Sequence, residues 1–169
     1  NDIGLSQIAA HVKNPLTGLK VAPYYGCQIV RPIAAFDDPE FPVTMDHLLG
    51  ALGADVIDFP YKTKCCGGAM LILDEDAVLD LTHKIITCAV DRGAEIIATP
   101  CPMCMVNLEA LQKKMNQKYG KDYEIPVVFF TQLMGLAYGL PESDTGFSKG
   151  MIPHEKVLGK YIRGVAAHA

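Results

Sequence analysis

Four short apolar runs limit how this chain can fold, because each one ends in a turn and hands over to a helical pattern. They cover residues 19–25, 55–59, 95–99 and 126–130, and Gly or Pro lies close to each. Runs this short, rich in Val, Ile, Tyr and Phe, read as strands. Helices are expected over about 44–52, 75–92, 102–118 and 132–138, with shorter ones at about 3–12 and 154–163. Thr44 is the expected N-cap of the first of these four, ahead of Met45, Leu48, Leu49 and Leu52 on one face. Asp74 caps the second, whose expected buried stripe is Val78, Leu81, Ile85, Cys88 and Ala89. Strand and helix in alternation predict an α/β domain: a mainly parallel sheet of about four strands flanked by helices, Rossmann-like, with right-handed crossovers. Strand order is not legible at this level. The expected organisation is a linker over 1–18 from a missing upstream domain, the sheet domain over 19–140, and a loop with a short helix over 141–169.

The cysteines fall at telling places on this framework. Cys27 follows the first strand, Cys65 and Cys66 follow the second, and Cys101 and Cys104 follow the third. In a parallel sheet those strand ends share the carboxyl edge, where such sheets bind ligands. Five thiols from three loops are therefore expected to converge on one crevice. A bond between the adjacent Cys65 and Cys66 would be strained, so a group held by both sulfurs makes better sense. Pro102 suits a first helical position, which places Cys101 near the N-cap and Cys104 one turn in, at the positive end of the helix. Gly67 and Gly68 let backbone N–H groups approach sulfur. Lys62, Lys64 and Arg31 flank the site and are expected to offset negative ligands. The sixth cysteine, Cys88, reads as core. His11 is expected on the surface of the first helix. His47, His83, His154 and His168 are scattered without ligand spacing and read as structural or surface residues.

A net charge of -4 and the lack of a basic stripe give no footprint for nucleic acid. No apolar run reaches the roughly 20 residues of a membrane helix, so direct membrane insertion is not expected. Six cysteines in a chain of 169 residues with long regular segments point to a reducing, cytoplasmic compartment rather than a secreted disulfide framework. Three holders of the thiols stay open. Structural zinc takes four ligands and leaves one cysteine over. An iron–sulfur cluster accepts all-thiolate ligation, and with several irons it accommodates more than four sulfurs, which the ligand count favours. A metal-free dithiol at Cys101 and Cys104 leaves the other three without a shared role.

Cys27, Cys65-Cys66 and Cys101-Pro102-Met103-Cys104 together resemble the cysteine-rich CCG domain. The surrounding words Pro23-Tyr24-Tyr25-Gly26-Cys27, Tyr61-Lys62-Thr63-Lys64-Cys65-Cys66-Gly67-Gly68 and Phe130-Thr131-Gln132-Leu133 are similar to the C-terminal half of the B-subunit family of heterodisulfide reductases, over about residues 19–140. The resemblance implies a non-cubane [4Fe-4S] cluster held by Cys27, Cys65, Cys66, Cys101 and Cys104, with zinc as a replacement if the cluster is lost. It implies two-electron reduction of a disulfide, such as the mixed disulfide of coenzyme M and coenzyme B, by an oxidoreductase that is inactive as an isolated single domain. The implied partners are an upstream CCG domain of the same subunit, iron–sulfur and flavin subunits of a reductase complex, and the small disulfide. Related domains in membrane-linked dehydrogenases imply a second role, in electron transfer.

Overall fold

The structure is a computed structural model that describes residues 3–31 and 37–166, with side chains described up to residue 162. Four parallel strands form its sheet: β1 (Lys20–Pro23), β2 (Asp55–Val56), β3 (Ile96–Thr99) and β4 (Val127–Phe129), in the order β2-β1-β3-β4. The helices are α1 (Leu5–Ala10), α2 (Thr44–Ala51), α3 (Glu75–Asp91), α4 (Pro102–Ala110), α5 (Gln112–Tyr119), α6 (Phe130–Ala137), α7 (Glu142–Thr145) and α8 (Glu155–Ala166). The expected α/β class with a parallel sheet is therefore what the chain adopts.

Period-two alternation along the strands explains the layers. Val21, Ile96, Ala98 and Val128 join a core with residues of α2, α6 and α8, including Leu49, Leu136 and Leu158. Their neighbours Ala22, Ile97 and Val127 join a second core with residues of α3, α4 and α5, including Ile85, Leu108 and Met115. Helices thus cover both faces, as an all-parallel sheet requires. Among the described residues no helix is long and apolar enough to cross a membrane.

The strand order locates the site. From β1 the chain moves outward to β2, then crosses back to place β3 on the other side of β1, with β4 beyond it. The winding direction reverses between β1 and β3. A reversal of this kind leaves a crevice outside the carboxyl ends of the two strands. Cys27 and Cys101 lie just past those two ends.

Several local expectations need correction. Thr44 does not cap α2: it is the first helical residue, and Val43 holds the cap position without a side-chain bond. Asp37 caps from a distance instead, its Oδ2 accepting the N–H groups of Val43 at 2.9 Å and Thr44 at 2.7 Å. The Tyr25 hydroxyl accepts the next two, from Met45 at 2.7 Å and Asp46 at 3.1 Å. The helix expected over 102–118 breaks at Leu111. There the Gln112 Nε2 donates to the Leu108 carbonyl at 3.0 Å, and to Ile125 O at 2.8 Å, so a side chain takes an acceptor of the helical ladder. On α3 the buried face is Val78, Leu79, Thr82, Ile85, Ile86 and Ala89, leaving Leu81 and Cys88 only half-buried. Cys88 therefore lies at the margin of the core rather than inside it.

Candidate functional site

Each cysteine is delivered by an element whose local sequence places it. After β1, Tyr24 N–H still donates to Ala98 O at 2.8 Å, which extends the β1–β3 pairing by a residue. Tyr25 and Gly26 N–H groups then both donate to Lys62 O, at 2.8 and 3.0 Å, tying the Cys27 loop to the Cys65 loop. Gly26 adopts φ +71°, and a Cβ there would stand 3.0 Å from Cys104 Sγ. Only glycine serves at this point, because it turns the chain and clears a sulfur at once.

The Cys65-Cys66-Gly67-Gly68 turn is also held by its backbone. Gly67 lies in the left-handed region, and its N–H donates to Cys65 Sγ at 3.3 Å. Gly68 N–H donates toward Cys66 and helps to lower its pKa. The expected approach of backbone amides to sulfur is thus present. As expected, Pro102 opens α4 with Cys101 at the N-cap. Cys104 is buried one turn in.

The sulfurs gather in close pairs. Cys66 and Cys104 are 3.6 Å apart and buried, whereas Cys27 and Cys65 are 4.0 Å apart, with Cys65 exposed and Cys27 half-buried. The Cys101 thiol reaches Cys104 closely enough to push its pKa up. Two thiolates on one tetrahedral ion, each at roughly 2.3 Å, lie about 3.8 Å apart, which both pairs approach. Among the described residues no three Cys, His, Asp or Glu side chains close on a single point.

Charge is distributed unevenly over these sulfurs. Hydrogen bonding with Cys104 holds Cys66 down to about 6, assisted by Gly68 N–H and the Asn107 amide. Cys104 moves up for the matching reason, since it keeps the proton next to Cys66, and burial adds to this. Burial and the nearby Cys65 push Cys27 up. Tyr24 stands behind the group, fully buried, its hydroxyl donating to Lys64 O at 2.6 Å. Burial, then the sulfurs of Cys104, Cys66, Cys65 and Cys27, keep that hydroxyl protonated.

The flanking cations behave differently from expectation. Lys62 Nζ donates to Asp46 Oδ1 at 2.6 Å and to Pro42 O at 3.0 Å, and Arg31 pairs with Glu40. Two of the three charges are thus spent on carboxylates and oxygen, and Lys64 is exposed. His154 is buried against Glu142 at 3.0 Å, and His83 stacks on Tyr119 with centroids 3.9 Å apart, so both are structural. His11 is exposed, its Nδ1 bonded to Gln7 O at 2.7 Å. His168 lies outside the described residues.

Two features were missed at sequence level. Asn107 is buried on α4, one turn past Cys104, and its Nδ2 donates to Cys66 O at 2.6 Å. Its i, i+3 spacing from Cys104 was the available signal. An apolar fringe also borders the thiols: Met70, Ile72 and Leu73 follow the double glycine, and Met103 and Val106 project from α4, all exposed. Ile72 reaches 97 % exposure. The roomier surface hollows lie elsewhere, including one of about 550 Å³ between α5 and the Met151–Pro153 loop.

The family profile described as "Cysteine-rich domain" (CCG) matches residues 21–109, more than half of the chain and the span of all five site cysteines. The chain belongs to the CCG cysteine-rich domain family. Among CCG relatives, the 8-methylmenaquinol:fumarate reductase membrane anchor subunit of Wolinella succinogenes is 34% identical over 156 residues, covering 90% of this chain and 55% of that one. The B subunit of the ferredoxin:CoB-CoM heterodisulfide reductase of Methanosarcina mazei is 32% identical over 163 residues, covering 94% and 54%. This CCG chain thus spans about half the length of the curated relatives it matches. A crystal structure of a hypothetical protein from Helicobacter pylori superposes with a TM-score of 0.64 at 16% identity, over 86% of this chain and 27% of that one. That likeness concerns the fold alone.

Proposed function

We propose that this CCG domain holds a non-cubane [4Fe-4S] cluster on Cys27, Cys65, Cys66, Cys101 and Cys104, and that it works in a reductase subunit on a small disulfide. The observation that carries the reading is two close cysteine pairs at the β1/β3 crevice, Cys66–Cys104 at 3.6 Å and Cys27–Cys65 at 4.0 Å, with Cys101 at the N-cap of the helix that carries Cys104. Pairs spread over a crevice suit a group with several irons, which Cys27, Cys65, Cys66, Cys101 and Cys104 would hold. When bound, such a cluster supplies single electrons and a Lewis-acidic site for sulfur. The reaction is balanced as one disulfide plus two electrons and two protons giving two thiols.

The chain's own residues prepare the site. The low pKa of Cys66 and the positive end of α4 favour anionic sulfur where a metal would bind. Gly67 supplies its N–H to the Cys65 sulfur, and buried Tyr24 holds the Lys64 backbone in place while excluding water from behind the site. Zinc takes the place of the cluster once iron is lost. The apolar fringe of Met70, Ile72, Leu73, Met103 and Val106 supports a covering partner. That partner is an upstream CCG domain, with residues 1–18 as the connection, 19–140 as the CCG unit and 141–169 as its C-terminal extension. Electrons then arrive through iron–sulfur and flavin subunits of a cytoplasmic complex.

The test is anaerobic reconstitution with iron and sulfide, followed by metal analysis and EPR. Close to four irons per chain with an unusual signal supports the reading; zinc binding with no uptake of iron or sulfide overturns it. A second reading, electron transfer in a quinol-linked reductase, is favoured by the likeness to the Wolinella succinogenes menaquinol:fumarate reductase anchor. Oxidation of the loaded cluster by a fumarate reductase partner, with no response to disulfides, selects that reading.

A further inference from the structure

Asn107 is a polar side chain inside the core that packs α4 against α3 and β3, and nothing in the family assignment explains it. It is only 3% exposed, and its Nδ2 donates to the Cys66 carbonyl at 2.6 Å. The bond joins residues 41 positions apart, linking the Cys65-Cys66 turn to the helix that carries Cys104. Burying an amide is unfavourable unless it is paired, and here Oδ1 has no partner among the described residues. An apolar residue of the same shape would avoid that cost, so packing alone does not account for an asparagine.

The bond acts where geometry matters most. Gly67 turns the chain immediately after Cys66, with φ +77°, so the Cys66 carbonyl cannot continue into a helix or ladder. Asn107 satisfies that carbonyl and sets the Cys66 peptide against the first turns of α4. Its amide carries two hydrogens, and the bond to the Cys66 carbonyl uses one of them. One N–H holds the backbone, and the second has no other acceptor among the described residues.

We infer that Asn107 is a positioning residue for the metal centre, fixing Cys66 opposite Cys104 and donating to the Cys66 sulfur when that sulfur is a ligand. This rests on the iron–sulfur reading above. Hydrogen bonds to ligand sulfurs stabilise the more negative, reduced state of a cluster and raise its potential.

The test uses the full chain, reconstituted anaerobically, with the isosteric variants Asn107→Leu and Asn107→Asp beside the parent. Leucine removes both donors, and aspartate keeps the shape while replacing the amide nitrogen with oxygen. The expected result is an EPR-monitored reduction midpoint lowered by an equilibrium factor of about ten or more, near 60 mV for one electron. Asn107→Asp is shifted in the same direction as Asn107→Leu. Loss of iron from variants with an unchanged far-UV spectrum also supports the inference. Should Asn107→Leu fold poorly, Asn107→Asp is read on its own, and misfolding of both variants counts against a positioning role. Parent-like midpoint, signal and iron content in the variants overturn the inference while leaving the cluster reading intact. A parent that takes up no iron overturns both.

Discussion

The two cysteine pairs sit in the same crevice but in different environments. Cys66 and Cys104 are each 4% exposed and belong to the core beneath α3 and α4. Cys65 stands exposed in its loop, and Cys27 is half-buried in its own. Burial fixes the first pair: the core side chains, the Asn107 amide and the α4 N-terminus all constrain it. The second pair is placed indirectly, by the Lys62 carbonyl that accepts from Tyr25 and Gly26 and by the Tyr25 contacts with α2. The difference separates an anchored side of the site from a more accessible one.

The largest effect that tests this contrast comes from the sulfurs themselves. Cys66→Ala and Cys104→Ala are expected to lose most of the bound iron, while Cys27→Ala and Cys65→Ala retain a measurable fraction with an altered EPR signal. Equal iron loss in all four variants breaks the distinction. Next is Gly26→Ala, which places a methyl group 3.0 Å from Cys104 Sγ at a backbone angle of +71°. Strain of this kind costs about 1–3 kcal/mol, read as a lower denaturation midpoint together with reduced iron uptake.

Smaller effects sharpen the accessible side. Lys62→Met leaves Asp46 without its half-buried partner and is expected to cost about 1–2 kcal/mol, with Lys64→Met within about 0.5 kcal/mol of the parent. Chemical denaturation distinguishes them, and equal losses would mean that Lys62 acts on the sulfurs rather than through Asp46. Asp37→Ala removes the remote cap of α2 and is expected to cost about 1 kcal/mol. Partial burial raises the Asp37 pKa, but the N–H groups of Thr44, Asp38 and Val43 outweigh it and hold the carboxyl below its usual range. A depressed carboxyl contributes stability above its unfolded pKa, about 3.9, and loses it as pH falls through the folded value. The gap between parent and variant should therefore narrow below about pH 4, and a gap that persists there refutes the capping role.

Much of the framework was readable in the residues because its signals are local. Alternation in β3, Pro102 at the start of α4 and the Gly67 turn each depend on a few neighbours, and the expected parallel sheet rests on such cues. The expected helix over 102–118 failed because Gln112 bonds to Ile125, a contact that no window around Leu111 contains. Thr44 looked like a cap by type and position, yet Asp37 and Tyr25 reached the amides first.

By itself, then, the sequence determined the strand–helix alternation and the placement of five cysteines just after strands, since both follow from short-range periodicity and turn chemistry. The tertiary structure decided the order β2-β1-β3-β4, the reversal that opens the crevice, and which sulfurs are buried. It also decided that Lys62 serves Asp46 and that Asn107 holds Cys66. These depend on how crossovers bring distant segments together, and the winning contact at each point is set by packing between residues tens of positions apart.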